Sequence, residues 1–209
     1  MPRIERLRLD HAPALLSFER ENRAYFAAAI PDRGDGFFER FDALLRERLA
    51  EQAAGQAHFH VVVDDTGAVL ARVNLVDVER GSAVLGYRVA ERAAGQGLAT
   101  AAVREVCALA ASAYGLRSLR AAATADNAGS RTVLARTGFV VTGEMELNGR
   151  PALTFEQELP PVASAAPAAG GVLAPAAEVI SGAGGVPGTA GGGSGSGQGS
   201  GSTAGLIGD

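Results

Sequence analysis

The chain has 209 residues, of which 47% are hydrophobic and 20% charged, a composition typical of one folded domain with at most an appendage. Its 19 basic and 23 acidic residues give a formal net charge of -4, so no basic surface is expected for duplex nucleic acid or an anionic membrane. All basic residues are arginine. A Schiff-base lysine, a pyridoxal-phosphate anchor and a P-loop lysine are therefore excluded.

The lone cysteine, Cys107, cannot form an intramolecular disulfide and is typical of a reducing compartment. Residues 1–10 alternate charged and aliphatic side chains and lack the apolar segment of a secretory signal. No apolar run is long enough to span a membrane without Gly, Pro or charge. We therefore expect a cytoplasmic protein with no nucleic-acid or membrane partner.

Composition changes abruptly after Leu159. The last 50 residues hold 15 of the 28 glycines and only two charged residues, Glu178 and Asp209. Such a segment buries too little apolar surface to offset the loss of backbone entropy on folding. We predict a folded domain over residues 1–159 and a disordered Gly/Ala/Ser/Pro-rich tail over residues 160–209. A tether to a partner and a tail without a role both remain open.

Hydrophobic spacing within the domain predicts strands separated by turn signals, and helices that end at Gly or before Pro. The sequence order predicts an α+β domain in which helices pack around one sheet. The predicted strands are Ile4–Leu9, Phe59–Asp64, Val69–Val78, Ala83–Val89, Leu119–Thr124 and two more that flank Asn148-Gly149; the predicted helices are Ala12–Ala29, Phe37–Gln52, Leu98–Tyr114 and Ala128–Thr137.

The apolar pattern of the final hairpin constrains how its two strands can pair. Its apolar residues occupy odd positions on both strands, and a two-residue loop would pair odd positions with even ones. The pattern therefore predicts either a three-residue loop or a β-bulge.

The strand ending at Val89 runs through a glycine-rich turn, Arg92-Ala-Ala-Gly95-Gln-Gly97, directly into the helix that starts at Leu98. Glycines allow a tight turn in which several N–H groups, aided by the helix dipole, converge on one point. This arrangement is typical of a phosphate site. A P-loop is excluded because it needs lysine, and a dinucleotide fingerprint because Thr100 replaces its third glycine.

The Arg92-x-x-Gly95-x-Gly97 pattern resembles the acetyl-CoA pyrophosphate loop of the GNAT N-acetyltransferases. One crossover later, Asn127-Ala-Gly-Ser130 and the Gly138-Phe139 pair resemble the RimJ/RimL type of that family, which includes ribosomal-protein N-terminal acetyltransferases. The resemblance covers residues 3–159. It implies the GNAT fold, a mixed, mostly antiparallel sheet of six to seven strands with helices on both faces.

The resemblance also implies where acetyl-CoA binds, with no metal required. The strand Ala83–Val89 is expected to splay from Leu119–Thr124 and admit the pantetheine arm. Main-chain groups near Val89 and Ala90 would polarise the thioester carbonyl. The expected contacts of the diphosphate and pantetheine are Arg92, Gly95, Gln96, Gly97, Leu98, Ala99, Thr100, Asn127 and Ser130. A helix N-cap at Asn127 is compatible with such a role.

Acyl transfer to an amine needs a neutral amine and a proton for the leaving thiolate. Many GNAT enzymes use a tyrosine to protonate the thiolate, but Leu134 occupies that position here. Ser130 matches the serine that serves as proton donor in the RimL type. In relatives, a carboxylate on the strand before the last hairpin turn acts as the base that deprotonates the amine. Glu144 and Glu146 lie on the corresponding strand here. A solvated strand face is the alternative interpretation of these two residues.

The residues that contact the acceptor form no recognisable motif in the sequence. The resemblance places it beside the first helix, so Glu21 and Asn22 are expected to contact it, and Tyr87 lies on the strand that lines the cleft. We predict transfer of acetyl from acetyl-CoA to a primary amine, most simply the α-amine of a protein N-terminus. Acetylation of a small amine and a non-catalytic acetyl-CoA-binding module are the alternatives. Monomer and homodimer both remain open.

Four further side chains are interpreted as structural. His58 and His60 share a strand face, but without a third ligand they are expected to be surface or rim residues and not a metal site. His11 is expected to be exposed. Cys107 is expected to be a small buried residue and not a nucleophile.

Overall fold

A computed structural model describes residues 1–161 of the protein. The strands are β1 (Arg3–Arg6), β2 (His58–Val63), β3 (Val69–Glu79), β4 (Ser82–Val89), β5 (Ser118–Thr124), β6 (Val140–Leu147) and β7 (Arg150–Glu158). The helices are α1 (Ala12–Glu21), α2 (Arg23–Ala27), α3 (Asp35–Glu39), α4 (Phe41–Ala53), α5 (Leu98–Ser112) and α6 (Ala128–Arg136). Residues 162–209, which hold nearly all of the predicted tail, lie outside the described residues, so that prediction stays a prediction.

The strands form one seven-stranded sheet in the order β1-β2-β3-β4-β5-β7-β6. Every neighbouring pair is antiparallel except β4 and β5, which run parallel. The predicted mixed, mostly antiparallel sheet is thus confirmed, and its one parallel pair lies at the centre.

Each face of the sheet carries its own apolar core. Alternate residues of β3 and β4, such as Val73, Leu75 and Leu85, pack against α5 and α6 on one face. On the other face, α1, α2 and α4 contribute Phe18, Phe26 and Phe41, which pack on the opposite residues of β2. Helices therefore cover both faces, as predicted.

The two N-terminal helices predicted as continuous are each broken once. The first divides at Asn22, whose side-chain Nδ2 donates to the Phe18 carbonyl at 2.8 Å. A side chain that competes for this carbonyl favours a break over continued helix. The second divides at Arg40, between α3 and α4.

The last hairpin combines a tight turn with a bulge. Asn148 and Gly149 have φ values of 51° and 76° and form a two-residue turn that pairs Leu147 with Arg150. The register then shifts between Val141 and Gly143. The predicted bulge is confirmed, whereas the alternative of a three-residue loop is wrong. The bulge restores the pairing of odd positions, because Val141 lies opposite Phe155.

The predicted exposure of the histidines is wrong. His11, His58 and His60 are all buried, because helices cover both faces of β2 and the 3₁₀ turn at Leu9–His11 packs inward. The His60 Nε2 lies 2.8 Å from the Tyr114 hydroxyl, and the His58 ring stacks on Tyr114 with centroids 3.6 Å apart.

Cys107 is buried as predicted, and burial raises the pKa of its thiol to about 12. At neutral pH the thiol is therefore protonated and unsuited to nucleophilic attack. This agrees with the structural role that the sequence predicts.

Candidate active site

The centre of the sheet opens between its two parallel strands. β4 and β5 pair only over Ser82–Val84 and Ser118–Arg120. Beyond these residues β4 pairs only with β3, and β5 pairs only with β7. The predicted splay of the two strands is confirmed, and it leaves a gap along residues 85–89 of β4.

Some main-chain polar groups of β4 point into this gap. The Ala90 N–H donates to the Leu70 carbonyl at 2.8 Å, so positions 88 and 90 form the hydrogen-bonded pairs with β3. In an antiparallel ladder the residues between them point their main-chain groups away from the partner strand. The N–H and C=O groups of Tyr87 and Val89 therefore face the gap.

At the end of β4, the glycine turn leads into α5. Gly95 and Gly97 have φ values of 72° and 81°, and Gly97 is the N-cap of α5. No atom lies within 4 Å of a Cβ built on either glycine. The positive φ, and not lack of space, is what requires glycine here.

The turn exposes an unbroken run of hydrogen-bond donors. Within residues 1–161, the N–H groups of Gly95 to Thr100 have no acceptor; the first paired amide is that of Ala101, which donates to Gly97 O at 3.0 Å. Six consecutive main-chain donors at the positive end of a 15-residue helix form a strong anion site.

The side chains of the turn lie around this site without blocking it. Gln96 Nε2 donates to the Arg92 carbonyl at 3.0 Å and fixes the start of the turn. The Arg92 guanidinium is half exposed and lies 3.8 Å from the Asp64 carboxylate, a weak contact that leaves it able to approach an anion.

Three predicted site residues meet at the start of α6. Asn127 is its N-cap, and the Asn127 Oδ1 accepts from the Ser130 N–H at 2.9 Å. The Ser130 Oγ lies 2.8 Å from the Tyr87 hydroxyl, which also donates to the Ser130 carbonyl at 3.2 Å. Ser130 is fully enclosed, and Tyr87 is 3% exposed. The pair therefore connects β4 to α6.

Of the predicted acceptor contacts on the first helix, Asn22 is already occupied. Its amide nitrogen donates to the Phe18 carbonyl, and its Oδ1 accepts from the Glu91 N–H at 2.8 Å. Asn22 thus connects the end of α1 to the segment that begins the glycine turn. Glu21 is exposed and lines neither of the two pockets described here.

A cavity of about 180 Å³ opens on the α1–α2 face of the sheet, where β5 parts from β4. Among residues 1–161, Arg150 is the only charged residue that lines it. The Arg150 guanidinium donates to the Ala29 carbonyl at 3.1 Å and contacts Asp126. Arg150 thereby joins three segments around the opening. The other lining residues include Ile30, Pro31, Ala122, Ala123, Thr124, Asn127, Leu147 and Asn148.

Glu144 and Glu146 do not line this cavity. Both are exposed on the edge strand β6, opposite Leu153 and Pro151 of β7. Leu153 packs on the α5 side of the sheet, so the two carboxylates lie on the face opposite the cavity. A role for either as base stays a prediction without geometric support.

Sequence reasoning missed a charged cluster beside the cavity. Glu19 is 3% exposed and lies 2.5 Å from Arg72 and 3.3 Å from Arg88. Arg72 and Arg88 are cross-strand partners on β3 and β4. Their shared strand face was the one available signal, but the glutamate that joins them comes from α1.

Other site types find no support in the described part of the chain. Within residues 1–161, no three His, Cys, Asp or Glu side chains are arranged to hold a metal ion. No helix among these residues is long and apolar enough to cross a membrane.

Comparisons with known proteins agree with this geometry. Residues 3–140 match the family model described as an acetyltransferase (GNAT) domain. No curated protein matches the chain significantly.

Among solved structures, the chain is similar to the ribosomal-protein-S5-alanine acetyltransferase from Vibrio fischeri, with 22% identity and a TM-score of 0.72 over 76% of this chain and 93% of that one. It is similar to Mycobacterium smegmatis RimJ in complex with a CoA disulfide, with 23% identity and a TM-score of 0.68 over 75% and 81%. It is also similar to Vibrio cholerae spermidine N-acetyltransferase in complex with CoA and spermine, with 15% identity and a TM-score of 0.64 over 76% and 95%. The chain therefore belongs to the GNAT acetyltransferase family, and the enzyme class predicted from its sequence, an acetyl-CoA-dependent N-acetyltransferase, is confirmed.

Proposed function

We propose that the protein transfers the acetyl group of acetyl-CoA to an α-amine, in the first instance the N-terminus of a protein. The proposal that acetyl-CoA binds here rests on the run of six unpaired main-chain amides from Gly95 to Thr100. A coenzyme diphosphate fits such a site, because its oxygens accept hydrogen bonds from main-chain N–H groups at a helix N-terminus. Arg92 would add a positive charge at the edge.

From this site the pantetheine arm would enter the gap and pair with the main-chain groups of β4 that face it. The Val89 N–H faces the gap, whereas the Ala90 N–H is used by Leu70. Of the two residues predicted to polarise the thioester carbonyl, the geometry favours Val89. One such donor is typically worth about 2.7 to 4 kcal/mol in the transition state.

In the reaction the amine nitrogen attacks the thioester carbon, the carbon–sulfur bond breaks, and the sulfur takes a proton while the amine loses one. We assign the donor role to Ser130 acting with Tyr87, whose hydroxyls are 2.8 Å apart. Because Ser130 has no exposed surface, a thiolate reaches its hydroxyl only after a small displacement of the covering residues, or through Tyr87. When Ser130 gives its proton to the sulfur, the Tyr87 hydroxyl can donate a hydrogen bond to the Ser130 oxygen and stabilise it.

An α-amine needs little help to lose its proton. With a pKa of about 7.8 it is about 10 to 15% neutral at pH 7, whereas a lysine side chain is about 0.04% neutral. Water in the cavity is therefore a sufficient base. This makes the absence of a carboxylate among the cavity-lining residues compatible with the reaction.

The cavity also bears on which amine is accepted. A polycation such as spermidine would need acidic groups around it, but the charged residue that lines the cavity is Arg150. Because Asp126 pairs with Arg150, the lining has no net negative charge that would bind several positive charges, and this favours a monoamine acceptor over a polyamine. A small monoamine remains the second candidate, and the cavity volume of about 180 Å³ is compatible with it.

The test is an acetylation screen with mass detection. We expect peptides with free N-termini to gain one acetyl group at the α-amine, and the same peptides with blocked N-termini to gain none. Spermidine and an aminoglycoside serve as small-amine comparisons. If only small amines were acetylated, a small monoamine and not a protein N-terminus would be the acceptor. Coenzyme binding without turnover of any amine would contradict catalysis.

A further inference from the structure

On the α1–α2 face of the sheet, one glutamate is surrounded by more than one arginine. The Glu19 carboxylate lies 2.5 Å from the Arg72 guanidinium and 3.3 Å from that of Arg88. The Arg88 guanidinium also lies 5.2 Å from the centre of the Phe26 ring. Glu19 and Arg88 are 3% and 7% exposed, so the charges of these two residues are largely shielded from water.

The neighbouring charges do not remove this excess. Arg23 is already paired with Asp32 and Asp35, both at 2.6 Å. Arg33 is an exposed residue at the same small pocket as Arg88 and Glu19, and within residues 1–161 it forms no ion pair. The Arg33 guanidinium lies 4.5 Å from the Phe37 ring centre. The pocket therefore contains one more arginine than its carboxylates can pair.

The electrostatics agree with this charge count. Burial alone would raise the pKa of Glu19, but Arg72, Arg33 and Arg88 together hold it below its ordinary value, so the carboxylate stays ionised. Burial, together with repulsion by Arg33 and Arg72, lowers the pKa of Arg88. A second anion beside Arg88 and Arg33 would relieve that repulsion.

The cluster lies beside the place where the acetyl group would be transferred. Arg88 immediately precedes Val89, and alternation along the strand directs its side chain to the α1–α2 face while Tyr87 packs in the α5 core. The arginine-lined pocket shares Ala27, Ile30 and Pro31 with the cavity on this face. A group on an acceptor in the cavity is therefore within a short side-chain reach of Arg88 and Arg33.

We propose that Arg88 and Arg33 form a carboxylate-binding subsite of the acceptor site, so that the preferred acceptor carries an acidic group near its reacting amine. This inference rests on the proposed function. The planar guanidinium fork matches the two oxygens of a carboxylate, and such hydrogen bonds are strongest where water is restricted, as it is at the buried Arg88. The carboxylate has two possible sources: an Asp or Glu side chain in the first residues of a peptide, or the α-carboxylate of a free amino acid.

The experiment compares paired acceptors that differ only in this charge. One arm uses peptides with Glu or Gln at position 1, 2, 3 or 4, and the other uses alanine and alaninamide. For each pair, kcat/KM is measured by mass detection. Peptide affinity is also measured by fluorescence anisotropy in the presence of CoA, which reports on the subsite even without turnover.

We expect the acidic member of at least one pair to be preferred about tenfold or more, and its identity to assign the source. Arg33→Gln should reduce this preference below about threefold. Arg88→Lys, which keeps the charge but loses the fork, should weaken it partly. Arg20→Gln is the matched control, because Arg20 is exposed on α1 and does not line the pocket, and it should leave the preference unchanged.

Each outcome decides between the inferences. Equal kcat/KM and equal affinity within every pair would overturn the subsite and leave the proposed acetylation standing. A preference that persists in both Arg33→Gln and Arg88→Lys would also overturn it, since the carboxylate would then bind elsewhere. Preferential binding of acidic peptides without turnover would support the subsite and contradict the proposed acceptor class.

Discussion

The two sides of the β4–β5 gap offer ligands different parts of the chain. On the glycine-turn side the available groups are main-chain amides, from Gly95 to Thr100 and at Val89. On the α1–α2 side they are side chains, chiefly Arg33, Arg88 and Arg150. Main-chain donors are the same whichever residue carries them, so only the backbone conformation must be kept. Side-chain recognition, in contrast, changes with each substitution.

This difference suggests how one fold keeps its coenzyme while its acceptors vary. Substitutions that disturb the glycine turn should affect acetyl-CoA alone, and those on the α1–α2 face should affect the acceptor alone. Ser130 and Tyr87 lie between the two sides and should affect the chemical step.

The largest effect is expected from Ser130→Ala. Removal of the hydroxyl deletes the proposed proton donor, so kcat should fall by about tenfold or more while the KM for acetyl-CoA stays nearly constant. Tyr87→Phe should lower kcat less, because it removes only the partner of Ser130. Steady-state kinetics with the preferred amine measure both effects.

Thr132→Ala is the control for this experiment. It removes another hydroxyl from α6, one that is exposed and donates to the Ala128 carbonyl. Its kcat should match that of the wild type. An unchanged kcat in Ser130→Ala would remove Ser130 from the mechanism.

The next effect tests the main-chain side. Gly97→Ala places a Cβ at a φ of 81°, which costs about 1 to 2 kcal/mol and favours a different turn. The KM for acetyl-CoA should rise about 5- to 30-fold, with little change in acceptor preference. Titration of CoA by calorimetry provides the matching affinity.

Gly55→Ala is a closely matched control. Gly55 has a φ of 73° and, like Gly97, no atom within 4 Å of a built Cβ, but it follows α4, outside the site. Both variants should lose similar free energy of unfolding. If both raised the KM for acetyl-CoA equally, the effect would come from lost stability and not from the turn.

A smaller effect is expected from Glu144→Gln and Glu146→Gln. Because both carboxylates are exposed on the face opposite the cavity, each variant should change kcat less than about threefold at pH 7. Profiles of kcat/KM against pH provide the measurement. A tenfold fall together with loss of the acidic limb would identify the altered residue as the base.

The smallest effect on catalysis is expected from His60, although it should alter stability. Burial lowers the pKa of His60 from 6.5 to about 4, and burial also lowers that of His58. The folded state therefore binds fewer protons than the unfolded state between these values. Stability is full above pH 6.5 and is lost as pH falls, by about 2 to 3 kcal/mol from His60 at pH 4.5.

Denaturant unfolding between pH 7.5 and 4.5 measures this loss. Carboxylates with lowered pKa values, such as Glu5 and Glu19, contribute their loss of stability below about pH 4.5, so the upper window isolates the histidines. His60→Gln should flatten the slope in that window, whatever its absolute stability. A slope as steep as that of the wild type would show that His60 is not the titrating group.

The sequence was informative where recognition depends on local backbone. The glycine turn, the start of α5 and the N-cap at Asn127 are fixed by residues within a few positions of one another, and all three were predicted. The bulge in the last hairpin followed from the parity of its apolar residues. Such features need no knowledge of distant contacts.

Features made by distant contacts could not be predicted. Glu19 meets Arg72 and Arg88 across 53 and 69 residues of chain, so the sequence offered only a charged helix face. His58 and His60 looked polar and exposed because nothing local shows that both faces of β2 are covered. The helix break at Asn22 depends on side-chain bonds to Phe18 and to Glu91, of which the second is formed only in the folded domain.

The central claim, that main-chain amides of the glycine turn bind the coenzyme diphosphate, can be tested directly by NMR. In ¹⁵N-labelled protein titrated with CoA, the amide signals of Gly95 to Thr100 should shift strongly, while that of Gly55 should not move. Pantetheine, which lacks the diphosphate, should leave the turn signals near their starting positions. CoA binding that shifts other amides but leaves those of residues 95–100 unchanged would contradict the account.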